Sequence, residues 1–300
     1  MASLRQIRQR MKSIHNIHEI TKAMGMIASF RFKKAENRFS KSRSYFLEME
    51  KLVANLALSA DAVGTHGCAP LHPLFEPRKI KKKALVVMTG DKGLCGAYNS
   101  NLLKMASGWL KDNAGSDPVI VPVAKVGNDF FRKKHLPTLF GYPEKAMADL
   151  MLAKKITGDL KSAFLTGQVD SIEILYAVYR AGTPGRPQII PFLGLAYLAQ
   201  GGTGAINRAP TIDYIYEPDL ATVFDSILSS YLEGKIYMTL LESLTSESSA
   251  RMLAMTQATD NAEEVLDNLK LLRNKTRQAT ITRELSEIVA TPISEPAPSR

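Results

Sequence analysis

The chain is poor in cysteine, has no long apolar run, and keeps proline out of both of its long ends. Only Cys68 and Cys95 occur, and neither belongs to a CxxC pair, which argues against a disulfide framework and fits a reducing compartment. No stretch reaches about 18 consecutive apolar residues, so nothing reads as a direct membrane span. The basic start, Met1-Ala2-Ser3-Leu4-Arg5-Gln6-Ile7-Arg8, lacks the apolar core of a secretory signal. Its amphipathic pattern runs on for dozens of residues, so it reads as mature structure. Neither GxGxxG nor GxxxxGKS/T is present, and no Ser/His/Asp triad or pair of acids stands out. The sequence therefore offers no catalytic residue, no cofactor and no metal site.

What is present is unevenly placed. All fifteen prolines lie between Pro70 and Pro218 or from Pro292 onward, and fifteen of the nineteen glycines fall in that same middle stretch. Proline costs about 3 kcal/mol inside a helix, so two long proline-free arms around a loop-rich centre predict two long helices bracketing a domain. In the first arm Leu4, Ile7, Met11, Ile14, Ile17, Ile20, Met24 and Ile27 recur in steps of three and four, with an irregular phase near Ile17. In the last, Val265, Leu269, Leu272, Thr276 and Ala279 do the same. These read as coiled-coil seams. Such narrow stripes bury too little alone, so the arms are expected to pair, and a chain that leaves by one and returns by the other pairs them antiparallel. Pro218-Asp219 suits a helix start and Thr291-Pro292 a stop. Gly25 and Gly234 leave open a bundle of shorter helices instead.

The middle alternates. Ala84–Thr89 and Val119–Ala124 are apolar runs, Leu102–Leu110 and Glu144–Leu165 have helical spacing, and Ser171–Arg180 and Gln188–Leu198 are rich in β-formers. Continuous apolar runs separated by helices predict a parallel sheet covered on both faces. The fold class is thus α/β: a long antiparallel coiled coil of N- and C-terminal helices plus a central Rossmann-like domain. The expected divisions are 1–69 (first helix), 70–210 (central domain), 211–290 (last helix) and a disordered tail, 291–300.

Two features could carry chemistry. Gly90-Asp91-Lys92-Gly93-Leu94-Cys95-Gly96 follows a strand and precedes a helix, where phosphate loops sit, but its glycines are three apart and no Lys-Ser/Thr pair follows. It reads as a tight turn, with a nucleotide-dependent enzyme as the alternative. His66, Cys68 and His72 lie near one another without a fourth ligand, and His15 and His18 read as seam or flanking residues. The net charge is +10, and residues 1–55 hold twelve Lys or Arg against four Glu, so an acidic partner is expected. Nucleic acid is the alternative partner, but the aromatics follow the apolar stripe rather than form a stacking platform.

Several segments resemble one family. Ile20-Thr21-Lys22-Ala23-Met24-Gly25-Met26-Ile27-Ala28-Ser29, the loop Gly93–Gly96, Asp213–Pro218, Ser248–Met255, Ala258–Ala262 and Asn274–Leu285 are similar, in order, to the gamma subunits of rotary F-type ATP synthases. The resemblance implies a non-catalytic shaft, its coiled coil inside a ring of alternating alpha and beta subunits with the C-terminus deepest. The central domain would lie toward the membrane beside the epsilon subunit and the c ring. The shaft would carry torque between proton flow and the beta sites, with no role for nucleic acid. By matching positions, Met24, Arg251, Arg277, Gln278 and Thr282 would face the beta subunits, and Tyr216 and Glu217 the c ring and epsilon. The expected location is peripheral, on the cytoplasmic side of a bacterial inner membrane. Gly25 and Phe30-Arg31-Phe32 depart from the family's usual residues, and no inserted cysteine pair is present.

Overall fold

A computed structural model describes residues 3–62, 74, 80–143, 149–180, 183–193, 217 and 220–290. The predicted helix limits at Pro218-Asp219 and Thr291-Pro292, the tail 291–300, residues 194–198 of the last predicted strand, Tyr216, and the trio His66, Cys68 and His72 lie outside them.

Both arms are single helices. α1 spans Leu4–Ala62, and its first turn is closed by a reciprocal pair: the Gln6 amide donates to Ser3 Oγ (3.3 Å) and the Ser3 amide to Gln6 Oε1 (2.9 Å). This capping box satisfies two of the amides that a helix start leaves without partners. The last helix, here α5, spans Leu220–Ala290. Neither Gly25 nor Gly234 interrupts its helix, so the reading as shorter helices is excluded.

Between them lie β1 (Lys83–Met88), α2 (Tyr98–Asp112), β2 (Val119–Val123), α3 (Lys125–Lys133), α4 (Leu150–Leu165), β3 (Ser171–Arg180) and β4 (Thr183–Leu193). The sheet order is β2-β1-β3-β4. β1 pairs parallel with β2 and β3, while β4 runs antiparallel to β3. The expected all-parallel sheet is therefore corrected to a mixed one. Two residues separate β3 from β4, and a parallel return needs a dozen or more. Proline placement agrees: Pro122 lies in β2 and Pro184, Pro187 and Pro191 in β4, the two edges, and none in the central strands, because proline has no N–H to give a ladder and an edge strand leaves one side unpaired.

The molecule divides into two compact units, Met1–Ile27 with Ala254–Arg300, and Ala28–Leu253. In the second, alternate residues of each strand serve opposite faces. Leu85, Val87, Ile120 and Leu175 meet α2 through Leu102, Ala106 and Trp109. Val86, Met88, Val121, Ile172 and Ile174 meet α4 and a cluster from the long helices that includes Met49, Tyr231, Leu232, Ile236 and Leu240. α5 is here a core helix, buried or half-buried at every position from Tyr231 to Ala250. Its serines permit this. Gly185 of β4 lies so close that an added Cβ would overlap Ser246 Oγ and stand 3.0 Å from the Val178 carbonyl oxygen.

The first unit is the paired ends of α1 and α5. Thr259 Oγ1 donates to Thr21 Oγ1 (2.9 Å), and a Cβ on Gly25 would meet Met255 Cβ at 3.5 Å. Advancing four residues on one helix retreats four on the other, so the pairing is antiparallel.

Candidate partner interface

A heptad frame begun at Leu4, Ile7, Met11 and Ile14 and continued without a break passes through His18, Thr21, Gly25 and Ala28, and these are the positions that α1 buries or half-buries. The sequence pattern left that frame at Ile17, following the largest apolar residues. In the structure Ile17, Ile20, Met24 and Ile27 are not the seam: they stand 39–57% exposed, spaced three, four and three residues apart and so on one face. The correction has a physical cause. Close approach of two helices selects small residues at the contact, and Thr21, Gly25 and Ala28 supply them, leaving the bulky set outside. On α5 the seam runs through Met255, Thr259, Ala262, Leu266, Leu269, Arg273 and Thr276, large and small alike. Of the predicted set, Leu269 and Thr276 belong to it, whereas Val265, Leu272 and Ala279 are exposed.

An apolar helix stripe in water is the mark of a contact surface. Met24 belongs to it. Arg277, Gln278 and Thr282 are exposed near the other end of the first unit. With Gly25 opposite Met255, Arg277 lies 22 residues, roughly 33 Å, further along α5, so Met24 and this trio are separate patches. Thr282 Oγ1 donates to the Gln278 carbonyl (3.0 Å) within its own helix. Glu217 is exposed.

Arg251 differs from the others because it is engaged within the second unit. Its guanidinium donates to Glu247 Oε1 (2.8 Å), the Lys92 carbonyl (3.1 Å) and the Gly93 carbonyl (3.3 Å), and its side chain is 16% exposed. Glu247 is buried against Gly90, where a Cβ would stand 2.9 Å from the Glu247 Cδ. The glycine-rich loop, placed where phosphate loops sit, thus receives a carboxylate from α5 instead. Asn99 Oδ1 accepts from the Gly90 amide (2.9 Å), and buried Tyr98 bonds Ser243 (2.8 Å). Burial pushes the Cys95 thiol up, with Arg251 opposing and Glu247 reinforcing the shift, so this cysteine is not an activated thiolate. Leu94, at φ +59°, is displayed to solvent at the loop's tip. A left-handed leucine costs about 1–2 kcal/mol, and the Arg251 bonds at Lys92 and Gly93 help to hold the turn.

Sequence reasoning missed the Ser3-Gln6 cap, although the Ser-x-x-Gln pattern announces it, and Ile17, Ile20 and Ile27 as surface residues, which an unbroken heptad count would have found. It had no signal for the Glu247–Arg251 clasp, because those residues meet the loop across some 155 positions of sequence.

The comparisons agree with one another. The family model described as ATP synthase matches residues 3–291. An ATP synthase gamma chain of Cupriavidus necator is 35% identical over 97% of this chain and 98% of its own, and one of Desulfitobacterium hafniense is 32% identical over 96% and 98%. Among solved structures, a chain of the Euglena gracilis mitochondrial ATP synthase, from an OSCP/F1/c-ring assembly, superposes with a TM-score of 0.63 at 16% identity, covering 96% of this chain and 93% of its own. A chain from the central stalk and c ring of the Tetrahymena thermophila enzyme gives 0.59 at 20% identity, over 80% and 99%.

Proposed function

Because this chain belongs to the ATP synthase gamma-chain family, we propose that it is the central-stalk rotor subunit of a proton-translocating F-type ATP synthase. In this role it is a non-catalytic part that transmits torque between a membrane c ring and catalytic beta subunits. The observation that carries this is the first unit: two chain ends paired antiparallel, with a bulky apolar stripe of α1 turned outward. A shaft turning within a ring needs stiffness from its own seam and side chains left over to touch the ring. Ile17, Ile20, Met24 and Ile27 supply apolar contact without a deep anchor, and Arg277, Gln278 and Thr282 supply polar contact further along. Both patches face alpha and beta subunits in this reading. Weak contacts suit a surface that must slide past several equivalent partners, and exposed charge pairs are worth less than about 1 kcal/mol each.

Arg251 in this role acts on the chain itself, fastening the Gly90–Gly96 loop to α5, and presents Leu94 and the loop's rim to a beta subunit. Glu217 and Tyr216 belong to the foot beside the epsilon subunit and c ring. No described helix is long and apolar enough to cross a membrane, so attachment runs through these partners, on the cytoplasmic side of a bacterial inner membrane.

The test is affinity isolation of the tagged chain from detergent-solubilised membranes. Recovery of stoichiometric alpha and beta chains with the c ring is expected. Replacing Ile17, Ile20 and Met24 together by serine should reduce ATP hydrolysis by the recovered complex while leaving the chain folded. A partner-free monomer would overturn the assignment.

A further inference from the structure

We propose that His15, His18 and Glu19 form a binding site for a divalent transition metal of the zinc class on α1, at the edge of its seam. The three residues fall at i, i+3 and i+4, which puts them on one helical face. One ligand atom from each lies within 4.8 Å of the other two. The two imidazole rings are stacked nearly parallel, 10° apart with centroids separated by 6.5 Å, so binding one ion requires the rings to swing until their in-plane lone pairs converge. His18 Nδ1 stands 3.2 Å from Glu19 Oε1. A zinc ion that takes the place of the proton between them is held by the Nδ1 lone pair of His18 and the Glu19 carboxylate together.

The chemistry of the donors selects the class of ion. Two imidazoles and a carboxylate suit zinc and its neighbours, whereas magnesium and calcium take oxygen ligands. Zinc bonds of about 2.0–2.2 Å draw the three atoms closer than the separations of up to 4.8 Å at which they stand. The helix is already ordered, so binding does not have to fold the backbone. His15 and Glu19 are exposed and His18 keeps partial access, so an ion can enter and water can fill the remaining coordination position. Among the described residues this is the one group of three or more His, Cys, Asp or Glu gathered tightly enough for a metal. The site stands whether or not the rotor reading holds.

The experiment titrates zinc chloride into the full-length, metal-free chain by calorimetry, beside two variants. One carries His15→Gln and His18→Gln. The other carries His66→Gln, Cys68→Ser and His72→Gln, removing the remaining plausible ligand group. Glutamine is a good helix former, and circular dichroism checks that helix content is kept. The expected result is one zinc event whose affinity falls more than about tenfold in the first variant, a loss that even second-shell changes around a metal cause, and is retained in the second. Glu19→Gln should weaken it by an intermediate factor, and millimolar magnesium should not compete. Equal affinity in the wild type and the His15/His18 variant, loss in the second variant instead, or no zinc binding by the wild type would each overturn the proposal.

Discussion

The same two helices live in two different environments. In the second unit α5 is buried or half-buried at every position from Tyr231 to Ala250, and its sequence there, Leu240-Leu241-Glu242-Ser243-Leu244-Thr245-Ser246-Glu247-Ser248-Ser249-Ala250, is small and polar as often as apolar. In the first unit it buries one residue in three or four and displays Val265, Leu271, Leu272, Ile281 and Leu285. Hydrophobicity along the helix thus runs partly opposite to burial. Where a sheet and a second helix press close, backbone-to-backbone distance decides, and serine and glycine fit. Where two helices meet along one narrow seam, residues off that seam face outward whatever their size, and the bulky ones become material for a partner.

The contrast is broken most severely by filling the close approach. Gly185→Val would drive a side chain into Ser246 Oγ and the Val178 carbonyl, and a loss of about 4 kcal/mol or more is expected, seen in urea unfolding as collapse of the second unit. Next comes the clasp. Arg251→Ala leaves the buried Glu247 carboxylate without its guanidinium, at about 3 kcal/mol. The loss should exceed that of Arg277→Ala, an exposed arginine of the first unit, by most of that amount. Equal effects would refute the difference between the regions.

Lys235 sharpens the comparison through pH. It is buried beside the Tyr231 ring and donates to the Pro191 carbonyl (3.1 Å). Burial holds its amine down at about 8, with Glu50 opposing. Below pH 8 both folded and unfolded chains carry the charge, and the folded state bears its desolvation. As pH rises from about 8 toward the unfolded value near 10.4, the folded lysine gives up its proton first, so the unfolded state binds more protons and stability increases. The gain should be on the order of 2 kcal/mol, and it should be missing in Lys235→Met when the two unfolding curves are subtracted.

Smaller effects test the glycines and the stripe. Gly25→Ala gains helix propensity and finds ordinary contact distance to Met255, so a rise of up to about 1 kcal/mol is expected. Gly234→Ala meets the Phe46 ring at 3.3 Å and should gain less. Ile20→Gln with Met24→Gln should alter thermal stability of the isolated chain by no more than about 0.5 kcal/mol. A larger loss would mean that the stripe is core after all.

Much of this was legible beforehand. Fifteen prolines marked where helices could not be, and the runs at Ala84, Val119 and Ser171 marked three buried strands, because burial on both faces leaves no polar alternation. The direction of β4 was less legible, although its prolines and the two-residue link carried the answer. The seam was misplaced because apolar size was taken as the guide where contact distance ruled. Arg251 was expected among the residues facing the beta subunits, and its bonds to Glu247 and the loop were not foreseen because nothing local indicates a partner so remote in sequence.

The sequence by itself determined which segments are helix and strand, since proline exclusion and apolar periodicity act within a few residues, and it carried the family resemblance. Only the tertiary structure decided which face of each long helix is the seam, which glycines mark close approach, and that Glu247 rather than a phosphate fills the loop. Those outcomes depend on distances between residues far apart in the chain, and no local preference encodes them.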